Sequence, residues 1–264
     1  MAGAPSVVAL RGVGKTFGNG VTALNGIDLD VRDREFVSLL GPSGCGKSTA
    51  LRIVAGLTDP TSGLVIWRDR DVSGHNPAGE IGFVFQDPTL MPWASVTGNV
   101  YLPLKLQGLS PSDAAADIGD ALTRVGLSDF KDAYPRELSG GMRMRVSIAR
   151  ALVTRPKLLL MDEPFAALDE ITRFRLNNDL LGVWQAMDGG AGTVVFVTHS
   201  VFESVFLSSR ILVMTKRPGR IFTEITIDEP YPRHESFRTS ANYAACCRKV
   251  SDALHEAMAV EAVT

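Results

Sequence analysis

The sequence has few of the features that mark membrane-spanning or secreted proteins. Its 264 residues contain no apolar run that approaches the roughly 18 residues a helix needs to cross a bilayer. Residues 1–6 lack the basic and apolar regions of a secretory signal. The chain has only 3 cysteines, so a disulfide framework is excluded. We therefore expect a soluble protein of the cell interior.

Residues that would bind structural metal or nucleic acid are also scarce. The 4 histidines are scattered without the spacing of metal ligands, and the adjacent Cys246 and Cys247 lack the spaced partners of a zinc site. The 27 basic residues do not outnumber the 29 acidic ones, so no basic excess favours a nucleic-acid partner. With 45% hydrophobic residues, the chain is suited to building the core of one large domain.

The clearest motif that is present is a glycine-rich loop ending in Gly-Lys-Ser. It follows an apolar strand predicted at residues 36–40 and precedes a helix predicted from Lys47 to about Ala55, with Gly56 as its terminator. Glycines in such a loop let backbone N–H groups surround phosphate oxygens. Lys47 would neutralise the β- and γ-phosphates, and the Ser48 hydroxyl would bind magnesium. The predicted phosphate-binding residues are Gly41, Pro42, Ser43, Gly44, Cys45, Gly46, Lys47, Ser48 and Thr49.

A second motif is an Asp-Glu pair at the end of another apolar strand, residues 158–161. The carboxylate of Asp162 would emerge at the sheet edge where the phosphates lie, as a direct or second-layer magnesium ligand requires. Glu163 would orient the attacking water and accept its proton. In isolation such a pair is more often a solvated turn, but the phosphate loop in the same chain favours the catalytic interpretation.

The third motif, Leu138-Ser139-Gly140-Gly141-Met142, lies between the other two. Ser139 resembles a helix N-cap, and the two glycines remove side chains so that backbone amides can face an anion. An ordinary helix cap would explain Ser139 alone, but not three motifs in this order. In this order they resemble the motifs of the ATPase subunits of ATP-binding cassette (ABC) transporters. The resemblance covers nearly the whole chain, from about residue 8 to residue 220.

The predicted elements form an α/β fold within a single ABC ATPase domain, residues 1–264. Alternating apolar residues near the N-terminus predict an antiparallel β subdomain. Short apolar strands that alternate with helical stretches predict the mainly parallel sheet of a P-loop NTPase core. Residues 88–155 are predicted to form an inserted α-helical subdomain, and residues 229–264 a weakly helical C-terminal tail. The predicted strands are residues 7–11, 27–31, 36–40, 63–67, 81–85, 158–161, 193–198, 210–214 and 220–227, and the helices of the insertion are residues 110–125 and one that begins after Ser139.

The resemblance implies further site residues and a head-to-tail homodimer. In ABC ATPases the serine-glycine-glycine segment of one subunit closes on ATP held by the other, and Asp169 matches the loop that crosses this seam. Gln86 matches the glutamine that senses magnesium and water, and His199 the histidine that contacts the γ-phosphate. Phe17 occupies the position of an aromatic residue that stacks on adenine, with a simple core phenylalanine as the alternative. ATP and Mg²⁺ are the implied cofactors.

Within this family the chain resembles the ATPases of nitrate, sulfonate and taurine importers. The resemblance rests on residues 86–93, 96–100 and 217–224 and on Met142, which replaces the more usual glutamine; Met144 stands where many relatives carry another glutamine. It implies separate integral membrane permease subunits and, indirectly, a periplasmic or extracellular solute-binding protein. The ATPase would then lie peripherally on the cytoplasmic face of the inner membrane.

Alternatives remain open at several levels. Another transporter branch, with a different cargo or with export, would share the three motifs, and so would a soluble ABC ATPase that acts on ribosomes or DNA. A P-loop kinase or GTPase would have no reason to contain residues 138–142. Trp93 is expected to help form the groove that receives a short cytoplasmic helix of the membrane subunit. A core position is the alternative for this tryptophan.

Overall fold

Two β-sheets form the framework of the chain in a computed structural model, which describes residues 6–68, 70–71, 79–187 and 192–260. The strands are β1 (Ser6–Thr16), β2 (Thr22–Arg32), β3 (Phe36–Leu40), β4 (Ser62–Trp67), β5 (Arg70–Asp71), β6 (Ile81–Val84), β7 (Leu158–Asp162), β8 (Thr193–Thr198), β9 (Arg210–Met214) and β10 (Ile221–Thr226). The first sheet is antiparallel, with the order β2-β1-β4-β5. The second has the order β10-β9-β3-β8-β7-β6 and is parallel except for the edge strand β10. This arrangement confirms the predicted fold class.

Helices cover the larger sheet and fill the stretch between β6 and β7. Those of the described residues are α1 (Lys47–Val54), α2 (Val96–Leu106), α3 (Pro111–Arg124), α4 (Gly140–Leu152), α5 (Glu170–Gln185), α6 (Val201–Leu207), α7 (Glu235–Arg238) and α8 (Ala241–Ala259). The start of α3 follows its sequence signals, because Ser110 Oγ accepts a hydrogen bond from the Asp113 N–H. α2 is absent from the predicted helices because Gly98 and Pro103 lower its helix propensity, which tertiary packing overrides here.

The parallel strands are buried on both faces. Every residue of β3, β7, β8 and β9 is buried, which explains their nearly continuous apolar sequences. Because successive side chains point to opposite faces, Phe36 and Leu40 pack into one apolar cluster with α2–α6 and α8. Val37 and Leu39 pack into a second cluster with α1 and the antiparallel sheet. The larger sheet is therefore a central layer between the two clusters.

The two N-terminal strands are longer than the predicted residues 7–11 and 27–31. The pairing of β1 with β2 contains register shifts, one of them between Leu10 and Val13. Such irregularities break the alternation of apolar and polar residues on which the prediction rests. By contrast, β3, β8 and β9 have the predicted bounds, since a continuous apolar run is not affected by register.

The C-terminal segment packs against the core as helices. α8 contains 19 residues and buries Tyr243, Cys247, Val250 and Ala257 against the larger apolar cluster. The Tyr243 hydroxyl donates a hydrogen bond to the Phe202 carbonyl oxygen (2.9 Å). Among the residues that the structure describes, no helix is both long and apolar enough to cross a membrane.

Candidate nucleotide-binding site

The loop between β3 and α1 fits closely against β2. Gly46, the residue before the helix, has a φ of +108°, which favours glycine. A Cβ atom here would lie 2.6 Å from Leu24 Cδ2 and 2.8 Å from the Ala23 carbonyl oxygen. The missing side chain therefore lets the loop bring the N-terminus of α1 to the carboxyl end of β3, where free N–H groups can bind an anion.

Lys47 places a positive charge inside this loop. Its ammonium group donates hydrogen bonds to the carbonyl oxygens of Gly41 (2.8 Å) and Pro42 (3.0 Å). It also lies 3.5 Å from Glu163 Oε1, and the lysine side chain is only 3% exposed. A buried, partnered cation at this point can neutralise the charge of a phosphate chain held by the loop.

Ser48 and Asp162 meet at the ends of α1 and β7. The Ser48 hydroxyl donates a hydrogen bond of 2.7 Å to Asp162 Oδ1. Burial raises the pKa of the Asp162 carboxyl, while the hydrogen bond from Ser48 opposes this shift. The two side chains offer oxygen donors at one point beside the phosphate loop, and oxygen donors are the ligands that Mg²⁺ prefers.

Glu163 is held between Lys47 and His199. Its Oε2 lies 2.8 Å from His199 Nδ1, while its other oxygen, Oε1, contacts Lys47. The backbone of Glu163 has a φ of +45°, a strained value for a residue with a side chain, and its N–H donates to the Val197 carbonyl oxygen (3.0 Å). Such strain persists only where surrounding contacts fix it. The carboxylate is therefore positioned from both the phosphate loop and the end of β8.

An open cleft of about 350 Å³ is lined by half of the predicted site residues. It is lined by Phe17, Val21, Ala23, Ser43, Gly44, Gly46, Lys47, Ser48, Thr49, Gln86, Glu163 and Arg217. Phe17 is 41% exposed, so the alternative of a core phenylalanine is wrong. Asp162 and His199 contact residues of the lining, and Cys45 is buried in the loop behind it. The cleft thus contains an exposed aromatic ring, a lysine, a serine and one carboxylate, and a second carboxylate, that of Asp162, contacts the serine.

Arg217 is a residue of the cleft that the sequence analysis did not assign to the site. It belongs to residues 217–224, which served only as a subfamily marker. Backbone hydrogen bonds hold this segment against β2: Gly219 donates to the Ala23 carbonyl oxygen (2.9 Å), and Asn25 donates to that of Gly219 (3.0 Å). Because this contact joins distant parts of the chain, the only local signal is an arginine that follows an apolar strand.

The serine-glycine-glycine segment lies outside this cleft, at the N-terminus of α4. Ser139 Oγ accepts a hydrogen bond from the Met142 N–H (3.2 Å), so this serine is a helix N-cap. A Cβ atom at Gly141 would lie 2.9 Å from Thr172 Cγ2, and one at Gly140 3.4 Å from Leu168 Cδ2. The first turns of α4 and α5 are therefore neighbours.

Asp169 caps the second of these helices and is also outside the cleft lining. Its Oδ1 accepts a hydrogen bond from the Thr172 N–H (2.9 Å), and this bond lowers the pKa of the carboxyl. Within one chain the predicted site residues thus form two groups, one in the cleft and one at the adjacent ends of α4 and α5. Met144 is buried in the core behind the second group, and Met142 is half-buried against it.

A parallel sheet with a glycine loop leading into a helix, a buried loop lysine and an Asp-Glu pair at the end of another strand of the same sheet defines a P-loop NTPase. The model of the ABC transporter family matches residues 24–166, which include all three motifs. The chain belongs to this family, and it is an ABC-type ATPase that binds ATP.

Curated relatives align over most of this chain. The nitrate import ATP-binding protein of Synechocystis is 45% identical, with 83% of this chain and 82% of the relative covered. The taurine import ATP-binding protein of Rhizobium johnstonii is 45% identical over 80% and 79%, respectively. The aliphatic sulfonates import ATP-binding protein of Rhodopseudomonas palustris is 44% identical over 89% and 79%.

A solved ABC transporter cassette has the same fold. It is 32% identical to this chain, with a TM-score of 0.73, and the match covers 84% of this chain and 100% of the cassette. It has been described as a dimer, and as a dimer in a post-hydrolysis state bound to ADP and Pi. These comparisons confirm the predicted family.

Proposed function

We propose that this chain is the ATP-hydrolysing subunit of a multi-subunit importer, which powers uptake of a small anionic solute such as nitrate, a sulfonate or taurine. The observation that carries this proposal is the identity of 44–45% with three proteins named for import of such solutes. Nitrate and the sulfonates share an anionic group of oxygens around a central atom. The cargo itself would be chosen by a periplasmic or extracellular solute-binding protein and by the membrane subunits.

In the proposed reaction, the residues of the cleft have different roles in the binding and hydrolysis of ATP. Phe17 would stack on the adenine ring, and residues 41–49 would surround the phosphates. Glu163 would accept a proton from the attacking water, while His199, in contact with this carboxylate, would reach the γ-phosphate. Lys47, which faces Glu163 at 3.5 Å, would offset charge on the β- and γ-phosphates.

The oxygen donors beside the phosphate loop fit a magnesium ion. Ser48 and Asp162 share a hydrogen bond at the loop, and the exposed Gln86 lines the same cleft. We propose these three residues as the magnesium-binding set. When bound, Mg²⁺ would supply positive charge to the phosphate oxygens. Arg217 lines the same cleft, so its side chain would add a positive charge of the protein itself near the loop.

A second copy of the chain would complete each ATP site. Ser139, Gly140, Gly141 and Asp169 lie together at the ends of α4 and α5 but are not part of the cleft lining. A head-to-tail homodimer would place this group of one subunit over the cleft of the other, where the N-terminus of α4 can face an anion. The dimeric cassette among the solved relatives supports this arrangement.

The surface that we propose for the permease subunits lies beside α2. A groove of about 460 Å³ is lined in part by Phe85, Leu102, Pro103, Leu106 and Arg150. Leu106 is 80% exposed, and Trp93, before the start of α2, is 77% exposed, so the core position considered for this tryptophan is wrong. Trp93 is not part of the groove lining, but an exposed apolar residue in a groove, such as Leu106, marks a docking surface for another protein. Binding there would hold the ATPase peripherally at the cytoplasmic face of the inner membrane.

This proposal can be tested by purification of the tagged chain from detergent extracts of its own cells. We expect an integral membrane protein in stoichiometric amount, and we expect loss of energised uptake of labelled nitrate, taurine or an alkanesulfonate when the gene is deleted. Leu106→Asp should release the membrane protein and leave basal ATPase activity unchanged. Leu57→Asp is the matched control, because Leu57 is 53% exposed and lies after α1.

The outcomes separate the alternatives. Recovery of ribosomes or DNA without a membrane protein would favour the soluble ABC ATPase. A membrane partner without uptake of any of the three solutes would favour another transporter branch. Equal loss of the partner in both aspartate variants would contradict the assignment of the groove.

A further inference from the structure

Glu203 is a buried carboxylate for which the proposed reaction has no role. It lies in α6, four residues after His199, and is only 6% exposed. Its Oε2 accepts a hydrogen bond of 2.5 Å from the Thr198 hydroxyl, and Thr198 Oγ1 in turn accepts one of 3.0 Å from the Ser200 N–H. Glu203 is thus connected by hydrogen bonds to the short segment that carries His199.

The other oxygen of Glu203 faces a second element of the site. Its Oε1 lies 3.6 Å from Arg173 Nε in α5. Both atoms are buried, and neither makes a hydrogen bond to a residue that the structure describes. Burial raises the pKa of Glu203, whereas the Thr198 hydrogen bond and the charge of Arg173 lower it. Arg173 therefore offsets part of the cost of burying this carboxylate.

Arg173 also holds the backbone that connects Glu163 to Asp169. Its Nη2 donates hydrogen bonds to the carbonyl oxygens of Leu168 (3.1 Å) and Ala166 (3.4 Å). The guanidinium group thus contacts residues 166–168 on one side and Glu203 on the other. A continuous chain of contacts runs from the segment of His199, through Glu203 and Arg173, to the residues that follow the proposed catalytic base.

A role confined to capping α6 does not explain this arrangement. Ser200 already caps that helix, since its Oγ accepts a hydrogen bond from the Glu203 N–H (3.3 Å). An apolar side chain could fill the buried position of Glu203 without the cost of desolvating a carboxylate. What the carboxylate adds is a polar connection to two separate segments, the one that carries His199 and, through Arg173, the one that follows Glu163.

We propose that Glu203 is a positioning residue for ATP hydrolysis, which fixes the segment of His199 and, through Arg173, the segment from Glu163 to Asp169. This proposal rests on the proposed roles of Glu163 and His199. Because a positioning residue acts on the geometry of the reacting groups, its loss should lower kcat and leave the KM for ATP nearly unchanged.

A double-mutant cycle on the full-length protein tests the connection. The variants are Glu203→Gln, which can still accept the Thr198 hydrogen bond but has no charge for Arg173, then Arg173→Met, and the two combined. We expect each single change to lower kcat about tenfold, and the double change to lower it about tenfold as well, because the two residues act as one unit. Arg173→Lys should recover part of the loss, since one donor and the charge remain.

Arg238→Met is the matched control. Arg238 is another partly buried arginine close to Glu203, but its guanidinium group stacks on the rings of Phe206 (3.5 Å) and Phe174 (4.7 Å). Its pKa is lowered by burial and raised in part by the charge of Glu203. Loss of Arg238 should therefore lower the melting temperature without a coupled effect on kcat.

Two results would overturn the proposal. One is a double variant with about a hundredfold loss, because independent effects multiply. The other is a loss of kcat in Arg238→Met that equals the loss in Arg173→Met, because both residues would then act only through stability. Should Glu203→Gln not fold, the Arg173 series decides alone, since that side chain is 25% exposed and tolerates replacement better. Glu163→Gln, measured in parallel, separates failure of this proposal from failure of the proposed function. Normal turnover by Glu163→Gln would refute the catalytic role of Glu163 itself.

Discussion

Glu163→Gln tests the proposed mechanism with the smallest change of shape. The amide cannot accept the proton of the attacking water, and loss of a general base typically lowers the rate by about 10²- to 10⁴-fold. We expect kcat to fall in this range. ATP binding should persist, because Lys47, Ser48 and Asp162 keep their contacts with one another and with the loop.

The structure also limits how much this change can disturb the fold. Glu163 loses its ionic contact with Lys47, but the lysine ammonium keeps the carbonyl oxygens of Gly41 and Pro42 as hydrogen-bond acceptors. The cost should therefore be about 1 kcal/mol, rather than the several kcal/mol that follow when a buried charge loses every partner. For a domain of this size that corresponds to a melting temperature about 2–4 °C lower.

Phosphate release measures the loss of hydrolysis, and size-exclusion chromatography shows whether ATP still binds and holds two subunits together. With ATP, and at high protein concentration, Glu163→Gln should elute at twice the 28.4 kDa of one chain; with ADP it should remain a monomer. Glu256→Gln, an exposed change in α8, is the control and should behave as the wild type. Robust turnover by Glu163→Gln would refute the role of this residue as base. A melting temperature lowered by 10 °C or more would refute the stability argument.

Three further predictions address the rest of the site. Lys47→Ala should lower ATPase activity about a thousandfold and leave the fold intact, which circular dichroism can check. Near-normal hydrolysis would contradict the assignment of the phosphate loop. Ser139→Arg should leave ATP binding by the monomer unchanged and block hydrolysis, while a mixture with Lys47→Ala should regain some activity, because one of the two sites in the mixed dimer then combines a wild-type phosphate loop with a wild-type Ser139. Normal hydrolysis by Ser139→Arg alone would show that Ser139 is only a helix cap. EDTA should abolish hydrolysis and added MgCl₂ restore it, whereas turnover without a divalent cation would contradict the proposed set Ser48, Gln86 and Asp162.

Some parts of the site could be predicted because their chemistry is contiguous in sequence. Residues 41–49 follow β3 directly and include the start of α1, so the strand, the turn and the helix can all be recognised in one short segment. The meeting of Ser48 with Asp162, 114 residues apart, could also be expected, because both follow strands whose carboxyl ends share one edge of a parallel sheet. A long-range contact is predictable when the topology alone brings the ends together.

Other contacts depend on side-chain packing that no sequence pattern encodes. Arg173 and Glu203 each read as an ordinary charged residue of a helix, and nothing local to either indicates that they meet across α5 and α6. Arg217 reaches the cleft only because residues after β9 pair with β2. In α2, Gly98 and Pro103 argue locally against the helix that packing against α3 and α4 stabilises.

Gly141 has a second reason to be glycine besides the one that its motif predicts. The motif predicts that its backbone faces an anion, and in addition a Cβ atom there would lie 2.9 Å from Thr172 Cγ2 in the first turn of α5. The missing side chain therefore brings the turn capped by Ser139 next to the turn capped by Asp169. In the proposed dimer these two helix starts act on the same partner cleft, so their spacing has to be fixed before a second subunit arrives. Close packing at Gly141 and recognition of the partner's nucleotide are then two consequences of one requirement, that α4 and α5 present their N-terminal turns side by side.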